Sequence, residues 1–282
     1  MTTEPPKIDW NAADGHGYMM ASKYLSSSRL NLQFYLWKQA LGFNIHPSIA
    51  SSLSPTSTIA DVATGTASWL IDISSSFPEA QLDGFDLTLD QTPHQNWLPK
   101  NITLRNWNIF EDPPEEVVGK YDFVHVRLLV VVIKEATTSL VLKNLLKLLK
   151  PGGYLQWDEM DIANMSVKRA DPAISSPALD ELREMCWSNG KYDWTLKLPE
   201  FMKEEGFLDV QVESYDDPKE LIRAFGDQHL FTMEELARSL MRVGEKEAAE
   251  KFYGVVEGGY EEVVRGAALC IPRIVCVGRK PE

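Results

Sequence analysis

Two acids and a glycine frame the chemistry open to this chain. Asp61 lies inside an apolar run, Ile59-Ala-Asp-Val-Ala63, and Gly65 follows in a turn of small residues that leads to Trp69. Asp86 stands 25 residues after Asp61, near the end of a second apolar run, Leu82-Asp-Gly-Phe-Asp-Leu87. That spacing fits one helix and one return loop of a right-handed β-α-β unit. A backbone loop at a helix N-terminus, with an acid at the next strand tip, binds nucleosides because the carboxylate accepts from ribose hydroxyls. A strand-end capping acid would look the same.

The choice of nucleoside turns on glycine. A dinucleotide needs G-x-G-x-x-G so that backbone amides can approach a pyrophosphate. Here Ala63 and Ala67 stand where glycines are expected, and each Cβ obstructs a seated anion. Asp61 opposes a pyrophosphate and favours a cation. Both points favour a phosphate-free, positively charged ligand.

Other residues offer further chemistry. His125 and Arg127 fall at the end of a fourth strand, where open α/β sheets place their ligand crevice. His125 is the candidate general base or orienting group, and Arg127 a substrate contact; a satisfied core histidine is the plainer alternative. Asp158, Glu159 and Asp161 follow a fifth strand and read as a hydrated, helix-capping loop in preference to a magnesium site, so no metal is expected. Trp157, Trp187, Tyr192 and Trp194 form either an aromatic wall over a flat substrate or part of the core. Cys270 and Cys276 share a face of one final strand and read as apolar filling, without an activating partner.

The elements that must position these residues alternate. Strands are expected at 58–63, 82–87, 101–107, 121–127 and 152–158, and helices at 67–76 and 135–149, the latter stopped by Pro151-Gly152-Gly153. That order implies a mostly parallel sheet with helices on both faces. Ahead of it, Leu30, Phe34, Trp37 and Leu41 form a helical stripe, and a short second helix follows His46-Pro47. The segment 159–195 interrupts the alternation with an amphipathic helix near 178–187. Beyond it come a helix near 197–205, a strand at 207–215, helices near 217–240 and 245–266, and one closing strand at 269–277. Residues 1–54 read as an N-terminal helical arm, and 159–206 as an insertion capping the site of a single domain spanning 1–282.

Composition narrows the function. A formal net charge of −13 argues against nucleic acid, whose phosphates demand basic patches. No apolar stretch approaches the ~18 residues of a membrane span, and the first residues lack a signal core, so no membrane partner is expected. Three cysteines fit no metal or disulfide framework, which points to a reducing, cytoplasmic setting. The expected partner is a small molecule, and the expected state a monomer or weak dimer.

The loop Asp61-Val-Ala-Thr-Gly-Thr-Ala-Ser-Trp69, Gly84-Phe-Asp-Leu-Thr88, Asn106-Trp-Asn-Ile-Phe-Glu-Asp112, the Tyr121–Leu129 strand and Leu148-Leu-Lys-Pro-Gly-Gly153 together resemble the Rossmann-like S-adenosylmethionine-dependent methyltransferases. The likeness covers about 55–160 and 208–278. With Arg29-Leu-Asn-Leu-Gln-Phe34 and His46-Pro-Ser-Ile49, it is narrower: the chain looks like fungal secondary-metabolism methyltransferases, nearest the dithiol S-methyltransferases acting on gliotoxin-type compounds. The resemblance implies a seven-stranded sheet with S-adenosyl-L-methionine as cofactor. It implies cofactor contacts from Tyr24, Asp61, Ala63, Gly65, Thr66, Asp86, Leu87, Asn108, Ile109 and His125, while Tyr18, Tyr24, Arg29 and Gln33 either close the site from the N-terminal side or belong to a solvated amphipathic arm. Arg127, Trp157, Trp187 and Trp194 are the expected substrate contacts. Where that family often has an acid for the adenine amine, this chain has Asn108, whose carbonyl can accept in its place or serve only a turn.

The expected reaction is methyl transfer to a secondary metabolite, on a thiolate by preference, since a thiol near pKa ~8.5 needs little help from a base. A phenol or amine acceptor is the alternative. A non-catalytic regulator of this fold and an NAD-dependent oxidoreductase also remain open.

Overall fold

The computed structural model describes residues 24–282. Tyr18, expected at the site, lies outside the described residues. The chain opens with α1 (Tyr24–Leu41) and the short α2 (Pro47–Ala50), whose first turn is set by Pro47 and capped by the His46 ring. Then follow β1 (Thr58–Val62), α3 (Ser68–Ser74), β2 (Gln81–Asp86), β3 (Ile102–Asn106), β4 (Tyr121–Arg127), α4 (Glu135–Leu148) and β5 (Leu149–Met160). After β5 come β6 (Ser166–Arg169), α5 (Pro177–Trp187), α6 (Leu198–Glu204), β7 (Leu208–Tyr215), α7 (Ile222–Val243), α8 (Lys246–Val264), β8 (Ala267–Cys270) and β9 (Arg273–Arg279).

Seven strands form one sheet in the order β3-β2-β1-β4-β5-β9-β7, parallel from β3 to β5 and antiparallel at β9. This is the expected Rossmann-like, mostly parallel sheet. The central strands read as near-continuous apolar runs because both faces are covered. One face packs Val141, Leu145 and Leu148 of α4 with Met202 of α6. The other packs Trp37 of α1, Leu70 of α3 and Phe225 of α7. β1 reverses direction of strand order against β4, so the crevice opens at the ends of β1, β2 and β4.

Lys150-Pro-Gly-Gly153 belongs to β5 as a bulge, between the pairs Tyr121↔Leu149 and Phe123↔Tyr154. A Cβ on Gly153 would lie 3.0 Å from the carbonyl oxygens of both Lys150 and Tyr121, so glycine is required there.

The closing strand differs from expectation. Pro272 has no N–H to continue a ladder, and the chain breaks there into β8 and β9. β8 pairs with β6 in a separate two-stranded sheet, whereas β9 pairs with β5 and β7. Cys270 and Cys276 therefore sit on different strands of different sheets, not on one face of one strand.

Arg273, at the start of β9, is buried against Asp217, with its guanidinium 3.8 Å from the Phe225 ring centroid and 5.4 Å from Trp37. Asp217→Ala leaves that guanidinium without its counter-ion, and we expect a loss of about 3–5 kcal/mol in urea unfolding. A loss below about 1 kcal/mol would show that the pair contributes little.

Candidate active site

The loop between β1 and α3 is built on left-handed backbone. Ala63, Gly65 and Ala67 have φ of 58°, 56° and 57°. For the two alanines this conformation costs roughly 1–2 kcal/mol each. The loop is held in that shape by its own amides: Thr64 N–H donates to the Phe85 carbonyl (2.9 Å) and Ala67 N–H to the Thr64 carbonyl (2.8 Å). Gly65 N–H donates to Asp86 Oδ2 at 2.8 Å. These three N–H groups are engaged within the protein and are not free to cradle a pyrophosphate.

Asp86 closes β2 and also accepts from Leu87 N–H at 2.7 Å. Burial pushes its carboxyl above the ordinary value, outweighing the Gly65 and Leu87 hydrogen bonds, and the nearby Asp61 adds to the rise. A carboxylate has about four acceptor positions. The backbone N–H groups of Gly65, Leu87 and Thr88 act on it, which leaves about one position for a ligand hydroxyl. Beside it, Leu87 is exposed and Thr66 is buried with its hydroxyl on Ser68 (2.9 Å). Asn108 Oδ1 accepts from Phe110 N–H at 3.1 Å, and Ile109 is 8% exposed within the core. Tyr24 starts α1 and is 77% exposed. Leu30 of α1 reaches over the loop, 3.5 Å from where a Cβ on Gly65 would lie.

Beneath the loop runs a chain of polar side chains. Thr64 Oγ1 donates to Asp61 Oδ2 (2.6 Å), and Asp61 Oδ1 meets His125 Nδ1 (2.7 Å). His125 Nε2 lies 3.3 Å from Asp158 Oδ2, which also accepts from Arg127 Nη2 at 2.8 Å. Gln156 Nε2 donates to Asp158 Oδ1 at 3.0 Å. The His125 ring stacks on Trp69 with centroids 4.1 Å apart. Burial pushes the Asp158 carboxyl upward, but the Arg127 charge and the His125 hydrogen bond outweigh it and hold it below the ordinary value.

This placement bears on the expected roles. His125 is 1% exposed and carboxylates occupy both ring nitrogens, so no edge is left for a substrate. Its geometry suits the positioning of Asp61. Arg127 lies over the Trp37 ring at 5.2 Å and is committed to Asp158. Trp157 and Trp194 are 0% and 1% exposed and pack edge to face at 6.2 Å, because their positions point into the core. Trp187 is 37% exposed at the end of α5. None of these four lines the cavity beside the loop. Of the expected aromatic wall only Tyr192 lines the cavity, among mostly flexible aliphatic and thioether side chains.

That cavity, of about 180 Å³, lies among α1, the turn after β4, the end of β5, α5 and α7. Its walls include Leu30, Leu128, Met160, Met185, Met233 and Leu236, and it shares Leu30 with the loop. Arg29, at its edge, is buried against Glu235 of α7 at 2.7 Å. The cavity also meets His229, which sequence reasoning passed over. The available signal was its place in an apolar stripe, Phe225, His229, Thr232 and Leu236, at helical spacing on α7.

Leu128 forms the turn after β4 with φ of 61°, an outlier for a branched side chain. β5 pins that turn: Leu128 N–H donates to the Asp158 carbonyl (3.0 Å) and Leu129 N–H to Glu159 Oε1 (2.5 Å). Trp157 Nε1 also donates to Glu159 Oε1 at 3.1 Å. Glu159 has no cation beside it, and burial pushes its carboxyl up to about 8 despite these donors. Asp161 instead caps a short turn through Asn164 N–H at 3.0 Å. Among the described residues no cluster of His, Cys, Asp or Glu is arranged to hold a metal.

No protein-family model matches the chain. The solved structure of the Haemonchus contortus phosphoethanolamine N-methyltransferase 2, in complex with phosphomonomethylethanolamine and S-adenosylhomocysteine, superposes with a TM-score of 0.53. That likeness covers 93% of this chain and 59% of the nematode chain at 16% identity. The chain has the methyltransferase fold. In sequence it is similar to the methyltransferase grgD of a Penicillium species, 40% identical over 111 residues, or 36% of this chain. The match spans only 38% of the grgD protein's length. A longer match is to the N-methyltransferase tcpN of Claviceps purpurea, 29% identical over 66% of this chain and 67% of that protein. The fungal secondary-metabolism likeness read from the sequence is thus supported by these relatives.

Two outcomes test this geometry. Ala63→Gly and Ala67→Gly relieve the left-handed strain, and each should raise the urea-unfolding free energy by up to about 1 kcal/mol, since glycine's unfolded-state entropy offsets part of the gain. A fall in stability would mean that the alanine methyls pack more than they strain. Glu159 binds its proton in the folded chain at pH values where the unfolded carboxyl, near 4.5, has lost it. Its contribution is therefore complete below the unfolded value and is lost as pH rises toward about 8. Wild-type stability should fall over that window relative to Glu159→Gln, by at most about 1.4 kcal/mol per pH unit. Parallel pH curves for the two proteins would contradict the raised value.

Proposed function

We propose that this chain is an S-adenosylmethionine-dependent methyltransferase that modifies a small, mainly apolar molecule. The observation that carries the reading is Asp86 at the β2 tip. It retains acceptor capacity for a ribose hydroxyl, beside a loop with its Thr64, Gly65 and Ala67 amides engaged, and Leu30 of α1 stands between that loop and an apolar cavity. Two acids near that loop, Asp61 and Asp86, suit a cation and disfavour a pyrophosphate, which speaks against an NAD-dependent enzyme. S-adenosylmethionine, when bound, supplies an electrophilic methyl group on a sulfonium.

In this reading Asp86 holds the ribose, and Gly65, Ala63 and Thr66 shape the loop around the amino-acid end. Asp61 provides negative charge beneath it, with His125 fixing the carboxylate from below. Leu87, Asn108 and Ile109 border the base, and Tyr24 with α1 closes the outer side. Residues 24–54 and the 159–206 segment cover the crevice of one domain, which is supported by Leu30 and Met160 lining the same cavity.

The acceptor we assign is a soft nucleophile. Alignment and exclusion of water supply roughly 7–11 kcal/mol of such a barrier, so a dedicated base is not required for an uncharged amine or a thiolate. The cavity wall offers little proton-accepting power for anything harder. Burial pushes Cys186 and Tyr192 up to about 12, so both stay protonated, and pushes His229 down to about 4. The N-methyltransferase name of the tcpN relative puts nitrogen first, ahead of the sulfur expected from the sequence. The three cysteines are unpaired, which fits a reducing compartment.

Calorimetry tests the reading. S-adenosylhomocysteine should bind and NADH should not, and Asp86→Ala should weaken the former by tenfold or more, the value of a charge-assisted hydrogen bond of ~1.5–3 kcal/mol. Absence of binding at millimolar ligand would overturn the cofactor assignment, and full affinity in Asp86→Ala would remove that residue from the site. Labelled-donor turnover over a panel of amines, thiols and phenols then ranks the acceptors.

A further inference from the structure

Several polar groups around the cavity are committed to protein partners. Arg29 is paired with Glu235, and Thr232 Oγ1 donates to the Gln228 carbonyl and accepts from Gln228 Nε2, each at 2.9 Å. His229 is different. It is 5% exposed, it lines the cavity, and its buried Nε2 has no hydrogen-bond partner. No described residue hydrogen-bonds its Nδ1 either. One side of the ring lies along Phe225, with centroids 6.3 Å apart and planes 25° apart. Asp217 and Arg273 act on the ring electrostatically in opposite senses without bonding to it.

A buried polar ring without partners is unfavourable and calls for a reason. Packing does not supply one, because phenylalanine would fill the same space beside Phe225 without the cost of desolvating two nitrogens. Burial keeps the imidazole neutral at physiological pH. It therefore carries one donor and one acceptor nitrogen beside walls in which thioether and aliphatic groups predominate, with Arg29, Gln33, Ser188, Lys191, Tyr192 and Thr232 also in the lining. Methionines adapt their shape to many ligands and discriminate weakly among them, which leaves selection to the polar groups, and of these His229 has a buried nitrogen without a partner.

We propose that His229 is the recognition residue for the acceptor molecule, and that this molecule is ring-sized and mainly apolar with a hydroxyl or N–H group that hydrogen-bonds the imidazole. The inference rests on reading the cavity as the acceptor pocket of the methyltransferase. The size agrees: about 180 Å³ here compares with the ~150 Å³ of an apolar cavity known to hold benzene.

Phenol and toluene, matched in shape and differing in the hydroxyl, serve as probes in calorimetric titration of the full chain. Both should bind, and the ratio of phenol to toluene affinity should fall fivefold to tenfold in His229→Phe. His229→Gln, which retains a hydrogen-bonding side chain, should keep at least half of that preference. An unchanged ratio in His229→Phe, or failure of both probes to bind the wild-type chain, would overturn the proposal. Titration of the same variants with S-adenosylhomocysteine separates the two readings. Donor affinity should be unaltered in His229→Phe, which also reports that the variant is folded. A probe result as expected, without donor binding by the wild type, would retain His229 as a ligand anchor and remove the methyltransferase reading.

Discussion

The crevice depends on a line of buried charge that crosses three strand ends. Asp61 on β1, His125 on β4 and Asp158 on β5 stand on neighbouring strands in register, Asp61 beside His125 and His125 beside Gln156. The line ends at Arg127, whose guanidinium rests on Trp37 of α1. Each member is costly alone in a low-dielectric interior and is stabilised only by its neighbours. The loop above inherits its position from Asp61, through Thr64. The N-terminal helix inherits part of its seat from Arg127. Two parts of the crevice that are remote in sequence are thereby fixed by one polar network.

Strain and desolvation gather around the same strand ends. Ala63, Ala67 and Leu128 all hold left-handed backbone, and they flank the crevice on the β1 and β4 sides. The fully buried Glu159 fastens the Leu128 turn through the next backbone amide. Conformations of this kind persist where the surroundings over-determine them, which here means hydrogen bonds to β2 and β5. The rest of the sheet carries no comparable outlier between β1 and β5, so the unfavourable terms are confined to the ligand-facing edge.

Much of this was legible from residue order. The alternation of apolar runs with turn residues located five parallel strands to within a few residues, because each strand's hydrophobic pattern is local. The loop and Asp86 were legible for the same reason: their function depends on a strand tip and on a spacing of 25 residues. What escaped depends on contacts distant in sequence. Nothing near His125 announces Asp61 or Asp158, which lie 64 and 33 residues away. Trp157 and Trp194 look like ligand-facing aromatics until the sheet turns them inward. His229 is hidden within the apolar stripe of α7, where a histidine reads as part of the core. β6 was invisible because its only strand partner, β8, lies a hundred residues on and was merged with β9.

The break at Pro272 gives the two sheets a shared alignment. Side chains on a strand alternate between faces, so sliding a strand by one residue exchanges its inner and outer sets. β8 and β9 are separated by only Ile271 and Pro272, and Asp161 N–H donates to the Pro272 carbonyl at 2.8 Å. The phase of the small sheet is therefore locked to that of the large one. Loss of a single residue at this junction would force one of the two strands, each buried on both faces, to exchange the side chains packed on either side of it. Length at positions 271–272 is thus under tighter constraint than side-chain identity, and an insertion there would be felt on both sides of the cavity at once.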